Sequence, residues 1–162
     1  MSTTRARVTV KKLPWVREGS IKRRWPFALD VDLAEHRAVG YWGENELLSD
    51  QGEVFRATSK VPMPRFDGPV ASSQDILNRY RETRLALASH DRDIKVFAMS
   101  PRGAITVTTG NDMQLEFGRE HFPERLARFV ALYNTWPLSY RSGLARVDLR
   151  YKAAIAVARN GA

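Results

Sequence analysis

The stretch IKVFAMSPRGAITVTTGNDMQLEFG, residues 94–118, decides the fold class of this 162-residue chain. Three runs rich in β-branched and aromatic residues, IKVFAM, AITVTT and MQLEFG, are separated by the turns SPRG and GND. Runs of this length joined by such short turns predict a three-stranded antiparallel meander. The other segments must therefore be placed around an antiparallel sheet.

Two amphipathic segments flank the meander along the chain. Ser72 or Ser73 is the expected N-cap of the first helix, and the second helix is predicted from about Pro123 to Asn134. Each carries one apolar stripe at helical spacing, which indicates that it packs on one side of the sheet. The stripes consist of Ile76, Leu77, Tyr80, Leu87 and Ala88 in the first helix, and of Phe122, Leu126, Phe129, Val130 and Tyr133 in the second.

Two strand pairs are predicted before the first helix. Residues 21–24 and 29–33 form a hairpin around the dipeptide WP, and residues 46–48 and 53–55 form another around a turn at 50–52. Residues 5–13 alternate like a strand but also show helical spacing, so both structures stay open there. The three prolines and the glycine of TSKVPMPRFDGPVA, residues 58–71, indicate an irregular connection.

The last segment, RVDLRYKAAIAVARN at residues 146–160, predicts one continuous strand because apolar side chains recur at every second position. Its other face changes from charged residues to alanines halfway along. Either a partner lies against these small side chains, or they pack beneath a helix of the same chain. The apolar positions are Val147, Leu149, Tyr151, Ala153, Ile155 and Val157, and the alanines are Ala154, Ala156 and Ala158.

This order of elements predicts an α+β fold with a mostly antiparallel sheet and two helices. A boundary is expected near residues 40–45, between a small basic N-terminal piece and a larger sheet domain. The contents of 43% hydrophobic and 27% charged residues are ordinary for a soluble globular protein. The absence of cysteine excludes disulfides, thiolate metal sites and thiol nucleophiles. Without an apolar run of about 18 residues or a signal peptide, the chain as written is expected to be soluble.

The formal net charge of +8 raises the question of a nucleic-acid partner. One basic cluster lies within residues 5–12 and another at Lys22, Arg23 and Arg24, while the other cations are spread among acidic residues. We favour a solvated basic surface and expect no nucleic acid. The alternative is a basic nucleic-acid-binding domain that uses the region from Lys22 to Trp25, where IKRRWP sets an aromatic side chain beside cations.

Residue patterns typical of catalysis are missing. The three histidines, His36, His90 and His121, are far apart and lack metal-ligand spacing. No nucleophile elbow, phosphate-binding loop or dinucleotide fingerprint occurs in the sequence. We therefore expect no enzyme activity, catalytic residue, metal or cofactor. The four tryptophans, Trp15, Trp25, Trp42 and Trp136, are interpreted as packing residues.

A family resemblance rests on the motifs of residues 13–55, LPWVREGSIKRRWPFALDVDLAEHRAVGYWGENELLSDQGEVF. This stretch resembles the bacterial cell-division family FtsQ/DivIB, which shows a helix ending in LPWV, an R-x-W-P turn, a strand with EH, a WG and a hairpin with GEVF. RLARFVALY and VDLRY resemble the family's later helix and closing strand. The motifs stand in family order over nearly the whole chain.

The resemblance implies a non-enzymatic divisome scaffold of the inner membrane, whose periplasmic part has a POTRA module followed by a β domain. Residues 1–42 would be a partial POTRA module of a helix and a β-hairpin, and residues 43–162 the β domain. The family recruits FtsB and FtsL by pairing its last strand with a strand of FtsB. The transmembrane anchor and the first POTRA elements have no counterpart in this sequence, which implies an N-terminally truncated member.

The resemblance also implies a set of partner-binding residues. Tyr151 matches the family's interface tyrosine and Arg150 the arginine before it, while Arg102 in SPRG matches a basic position that pairs with an acidic partner residue. Arg159 stands where the family has a tryptophan. The small residues beside which the partner strand would lie are Ala153, Ala154, Ile155, Ala156 and Val157.

Overall fold

The computed structural model describes residues 13–88 and 93–159. Their architecture is α+β, as predicted: a two-stranded sheet precedes a nine-stranded, mostly antiparallel sheet with helices. The predictions for residues 1–12, including the helix of the partial POTRA module, fall outside the described residues.

The small sheet is the predicted hairpin. Strands β1 (Val16–Arg24) and β2 (Ala28–Glu35) pair antiparallel, with Ile21 opposite Val31. The turn between them contains a cis peptide bond before Pro26. Because β-branched and leucine side chains alternate with charged ones along β2, one face of the hairpin is apolar and the other is charged.

The large sheet contains the predicted meander at its centre. The strands are β3 (Ala38–Trp42), β4 (Glu46–Ser49), β5 (Val54–Phe55), β6 (Arg65–Asp67), β7 (Ile94–Met99), β8 (Ile105–Thr109), β9 (Gln114–Gly118), β10 (Leu144–Asp148) and β11 (Ala156–Arg159). They run across the sheet in the order β11-β10-β9-β8-β7-β6-β3-β4-β5. The pairs β7 with β8 and β8 with β9 are antiparallel, which confirms the meander.

The predicted irregular connection, residues 58–71, contains one short strand, β6, that was not predicted from the sequence. β6 lies between β3 and β7 and runs parallel to both. Gly40 permits this pairing, since a Cβ atom there would lie 2.3 Å from the Phe66 ring and 2.5 Å from the Pro64 carbonyl oxygen. A three-residue strand between prolines is too short for an alternation pattern, so only the tertiary pairing defines it.

Both predicted main helices are present and cover the same face of the large sheet. They are α1 (Ser73–Leu87) and α2 (Phe122–Thr135), and a short helix α3 (Leu138–Arg141) follows. The Phe97 ring of β7 lies between Tyr80 of α1 and Phe122 of α2, with centroid distances of 6.2 and 6.4 Å. The predicted stripes are buried or half-buried except for Ala88, which is exposed at the C-cap of α1.

The predicted N-cap of α1 is correct in position but differs in its contacts. Ser72 is the N-cap residue and makes no side-chain capping hydrogen bond. Ser73 instead donates its hydroxyl to the Gly52 carbonyl oxygen at 2.7 Å. This hydrogen bond of Ser73 fastens the start of the helix to the β4–β5 turn.

A small aromatic group joins the hairpin to the large sheet. The Phe55 ring contacts Trp15 at a centroid distance of 5.4 Å and stacks on the imidazole of His36 at 4.3 Å. Trp42 is buried and Trp136 packs on the core, so three tryptophans pack as predicted. For Trp25 this prediction is wrong, since its side chain is 90% exposed.

The chain passes from the small sheet to the large sheet between Glu35 and Ala38, a few residues before the boundary expected near residues 40–45. β2 ends at Glu35, and β3 at residues 38–42 already pairs inside the large sheet. The division into residues 1–42 and 43–162 stays a prediction. None of the helices in the described part of the chain is both long enough and apolar enough to cross a membrane.

A candidate docking edge at the last strand

The last strand lies at one edge of the nine-stranded sheet. β11 pairs only with β10 among the described residues, antiparallel, with Val157 opposite Val147 and Ala156 opposite Asp148. All four of its residues are exposed. Its second row of backbone groups is therefore open to another strand.

The prediction of one continuous strand over residues 146–160 is wrong, since the described residues of this segment form two strands. β10 ends at Asp148, residues 149–155 form a connection, and β11 then returns along β10. The alternation fails within the connection, since Leu149 and Ile155 contact the core but Tyr151 and Ala153 between them are exposed. The periodicity therefore predicted neither the turn nor the exposure of the side chains within it.

Arg128 of α2 is the main physical reason for this turn. One of its terminal nitrogens donates to the carbonyl oxygens of Leu149 at 2.9 Å and Tyr151 at 2.8 Å. The other terminal nitrogen donates to the Lys152 carbonyl oxygen. In a straight strand the carbonyls of Tyr151 and Lys152 would point to opposite sides. Here all three carbonyls accept hydrogen bonds from one guanidinium group, which requires the backbone to turn.

Arg125 holds the start of the same connection one helical turn earlier. Its guanidinium donates to the carbonyl oxygens of Arg150 at 2.9 Å and Phe117 at 2.5 Å. Gly118 makes room for it with a φ of +71°, because a Cβ atom there would lie 3.0 Å from the Arg125 guanidinium and 3.1 Å from Cγ of Arg150. The helix and the end of β9 together fix where residues 149–152 lie.

A charge network closes the end of β10. The Arg150 guanidinium contacts the Asp148 carboxylate at 2.6 Å and the Glu116 carboxylate at 3.4 Å. Arg146 also binds Glu116, at 2.6 Å. The Arg150 hydrogen bonds lower the pKa of the largely buried Asp148 and raise the pKa of Arg150, and the Glu116 hydrogen bond raises the pKa of Arg146. Asp148, Arg146 and Arg150 are thus held in their charged forms.

The residues predicted to bind a partner fall into two groups. Tyr151 is 55% exposed, and Ala153 and Ala154 are exposed in the connection, while Ile155 is half-buried against the core. Ala156 and Val157 belong to β11. The alternative that the alanines at 154, 156 and 158 pack beneath a helix is wrong, since all three are exposed.

Arg102 lies at the same end of the sheet without touching the connection. It sits in the β7–β8 turn and is exposed. Arg119 lies beside Gly103 in this turn, and Arg150 lies beside Gly118. Among the described residues no hydrogen bond or ion pair joins Arg102 to Arg150, so the two predicted cations share one end of the sheet but not one contact.

Arg125 and Arg128 were missed by the sequence prediction. Together with Tyr151, Lys152, His121 and Glu124 they line a surface cavity of about 320 Å³. Their only signal is their spacing of three in RLARF, which sets them on one helix face beside the apolar stripe. Arg159, the last described residue of β11, lies over the Tyr140 ring at 5.1 Å. Over the described residues, no group of three possible ligands could hold a metal ion.

Comparison with known proteins identifies the family of this chain. Residues 40–150 match the family model described as "Cell division protein FtsQ/DivIB, C-terminal". The chain belongs to the FtsQ/DivIB family. A relative named cell division protein FtsQ in Nitrosospira multiformis is 40% identical over 151 residues, which cover 93% of this chain and 64% of the relative.

Two further relatives carry the same name. The FtsQ of Burkholderia pseudomallei is 36% identical over 163 residues, covering 96% of this chain and 65% of its own length. The FtsQ of Escherichia coli K12 is 32% identical over 154 residues, covering 91% of this chain and 56% of its own length. The chain therefore spans somewhat less than two thirds of these relatives, and the predicted membership in a cell-division family is confirmed.

Proposed function

We propose that this protein is a non-enzymatic scaffold of the divisome that recruits FtsB, and FtsL through it, by accepting an FtsB strand along β11. We further propose that it acts on the periplasmic side of the inner membrane at the septum. The observation that carries the docking proposal is the open, exposed edge of β11 beside the exposed Tyr151. Family membership supplies the cell-division context.

The chemistry of β11 suits an added strand. An incoming strand would pair with backbone groups of β11, so affinity would come from main-chain hydrogen bonds and specificity from alternate side chains. The residues of β11 up to Ala158 are two alanines around one valine. These small side chains leave the edge accessible, whereas the lysines and prolines that usually protect an edge strand are missing from it.

The connection before β11 suits specific recognition of a partner. Tyr151 offers an exposed ring with a hydroxyl, next to the cavity lined by Arg125, Arg128 and Lys152. Because three cations face one acid there, an acidic or carbonyl-rich part of the partner is favoured. Arg102 lies farther along the same end of the sheet and would act through long-range attraction more than through contact.

The arginine contacts also lower the cost of binding. Arg125 and Arg128 fix the carbonyls at residues 149–152 before any partner arrives. A pre-ordered connection loses less conformational entropy on association than a mobile one. This preorganisation supports a docking role for the segment, since no buried packing requires Tyr151 itself to be held.

The first test is calorimetric binding of the cognate FtsB periplasmic segment to the full chain and to two proline variants, Ala156→Pro and Val157→Pro. Neighbouring residues of an edge strand point their N–H groups alternately toward β10 and away from it. We expect the variant whose N–H points away to lose binding at least about tenfold and keep its unfolding midpoint. The other variant would disturb the β10–β11 pair and lower the midpoint.

A side-chain variant separates recognition from pairing. Tyr151→Ala removes an exposed ring, so it is expected to weaken FtsB binding about tenfold or more with unchanged stability. Phe27→Ala is the matched control, because it removes a 96% exposed ring from the turn of the separate two-stranded sheet. Unaltered FtsB affinity in Tyr151→Ala and in both proline variants would overturn the docking proposal.

A further inference from the structure

The turn between β1 and β2 exposes the two largest apolar surfaces of the described residues. Trp25 is 90% exposed and Phe27 is 96% exposed, with Pro26 between them. Two adjacent aromatic side chains left this open cost free energy in water. They also belong to a different sheet from β11, so the proposed FtsB site does not account for them.

Charge is segregated along this hairpin. Residues 22–30 hold three cations, Lys22, Arg23 and Arg24, and one acid, Asp30, which lies opposite Lys22. The remainder of the two strands holds one arginine and three acids: Arg17, Glu18, Asp32 and Glu35. The hairpin is therefore positive at its aromatic end and negative at its base, so a negatively charged surface would attract it end first.

The cations at the tip are largely free to meet an external anion. Arg24 pairs with Asp30 at 3.2 Å, but the two side chains are 72% and 46% exposed, so water weakens this ion pair. Lys22 and Arg23 are exposed. Arg23 lies opposite Leu29 in the strand register and has no acid across from it.

The position of the aromatics favours a lipid surface over nucleic acid. Base stacking uses aromatic side chains presented on a sheet face beside cations. Here Trp25 and Phe27 belong to the turn, where they can enter a soft interface while the strands stay outside. Tryptophan is enriched at the headgroup level of membranes, and neighbouring lysines and arginines attract anionic lipids.

We propose that the β1–β2 turn binds the surface of an anionic phospholipid bilayer. Trp25 and Phe27 enter the headgroup region, and Lys22, Arg23 and Arg24 contact lipid phosphates. This surface is independent of the edge of β11, so a bilayer and a partner strand could occupy the chain together.

The test is co-sedimentation of the full chain with phosphatidylcholine vesicles that contain either no anionic lipid or about 30% phosphatidylglycerol. Binding is expected only to the anionic vesicles, to weaken with salt, and to shift tryptophan emission to the blue. Trp25→Ser with Phe27→Ser is expected to reduce the partition constant roughly tenfold. Replacing the three cations by glutamine is expected to cost about fivefold for each charge removed.

Matched controls remove the same groups elsewhere. Leu85→Ser with Leu138→Ser removes two side chains that are 78% and 79% exposed, and Arg56→Gln, Lys60→Gln and Arg119→Gln together remove three exposed cations. Thermal unfolding checks that each variant folds. The proposal is overturned if the folded chain ignores anionic vesicles, if the controls lose binding equally, or if the tip binds a single-stranded oligonucleotide and no vesicle.

Discussion

β10 and β11 are neighbouring strands of one sheet, but their burial is opposite. Leu144 and Val147 of β10 are buried beneath the helices, whereas every residue of β11 is exposed. β10 has β9 on its other side, and β11 has only β10 among the described residues. Burial of apolar side chains therefore stabilises β10 and Leu149, whereas the four exposed residues of β11 remain available for a partner.

The largest expected effect tests the buried side of this contrast. Leu149→Ala removes a fully buried side chain and is expected to cost about 2–5 kcal/mol of unfolding free energy. Val157→Ala shortens a side chain of β11 that is 37% exposed, and it is expected to cost about 1 kcal/mol or less. Urea unfolding measures both. Equal losses would mean that β11 is as much a part of the core as β10.

The next effect tests the connection between the two strands. Arg128→Ala leaves the carbonyls of Leu149, Tyr151 and Lys152 without their shared donor, and we expect it to cost about 2 kcal/mol. Hydrogen exchange should accelerate mainly over residues 149–156. Arg128→Lys keeps the charge but loses the fork, so partial recovery is expected. Wild-type exchange in Arg128→Ala would show that the turn forms without the clamp.

A smaller effect concerns the end of β10 and depends on pH. Asp148→Asn weakens the contacts to Arg150 and is expected to cost about 1 kcal/mol at pH 7, since Arg150 is half exposed. The lowered pKa of Asp148 means that its contribution is complete above the unfolded-state pKa of about 3.9. It is lost as pH falls through the lower folded-state pKa.

The measurement is the unfolding free energy of wild type and Asp148→Asn between pH 7 and pH 2. The two curves should approach each other at the acidic end, because the protonated carboxyl no longer forms the ion pair. A difference that stays constant throughout this range would assign the loss to packing instead of charge. Ser20→Ala, which removes only an exposed hydroxyl contact to Asp32, is the control.

The smallest effect on stability is expected at Arg102, in the β7–β8 turn at the same end of the sheet as Arg150. Arg102→Ala should change the unfolding free energy by less than about 0.5 kcal/mol, because the side chain is exposed in a turn. If Arg102 attracts an acidic partner, the same variant should slow FtsB association more at low salt than at high salt. Stopped-flow association at two ionic strengths checks this, and a rate equal to wild type at both would remove Arg102 from the docking surface.

Much of the fold could be predicted because its signals are local. The meander at residues 94–118 and both main helices follow from alternation, turn residues and apolar stripes. β6 and the turn after Asp148 could not be predicted in this way. β6 is too short to show a period, and the turn depends on donors that lie more than twenty residues away in α2.

The candidate site divides along the same line. The family motifs pointed to Tyr151 and the alanines, and the exposure of Ala154, Ala156 and Ala158 agrees with their place outside the predicted core face. The exposure of Tyr151 was not predicted, because the alternation sets Tyr151 on the core face with Val147 and Leu149. The clamp of Arg125 and Arg128 gave no sequence signal beyond a spacing of three, because a guanidinium that binds backbone carbonyls leaves no pattern in the residues it binds.

The sequence by itself determined the fold class, the two main helices, the central meander and the family, since these depend on short-range periodicity and on motif order. Only the tertiary structure decided that the last strand breaks at Asp148 and returns as an exposed edge. It also decided that Trp25 stands in water. Both outcomes depend on whether residues distant in the sequence pack against the segment, and the spacing of apolar and charged residues along the chain does not give that information.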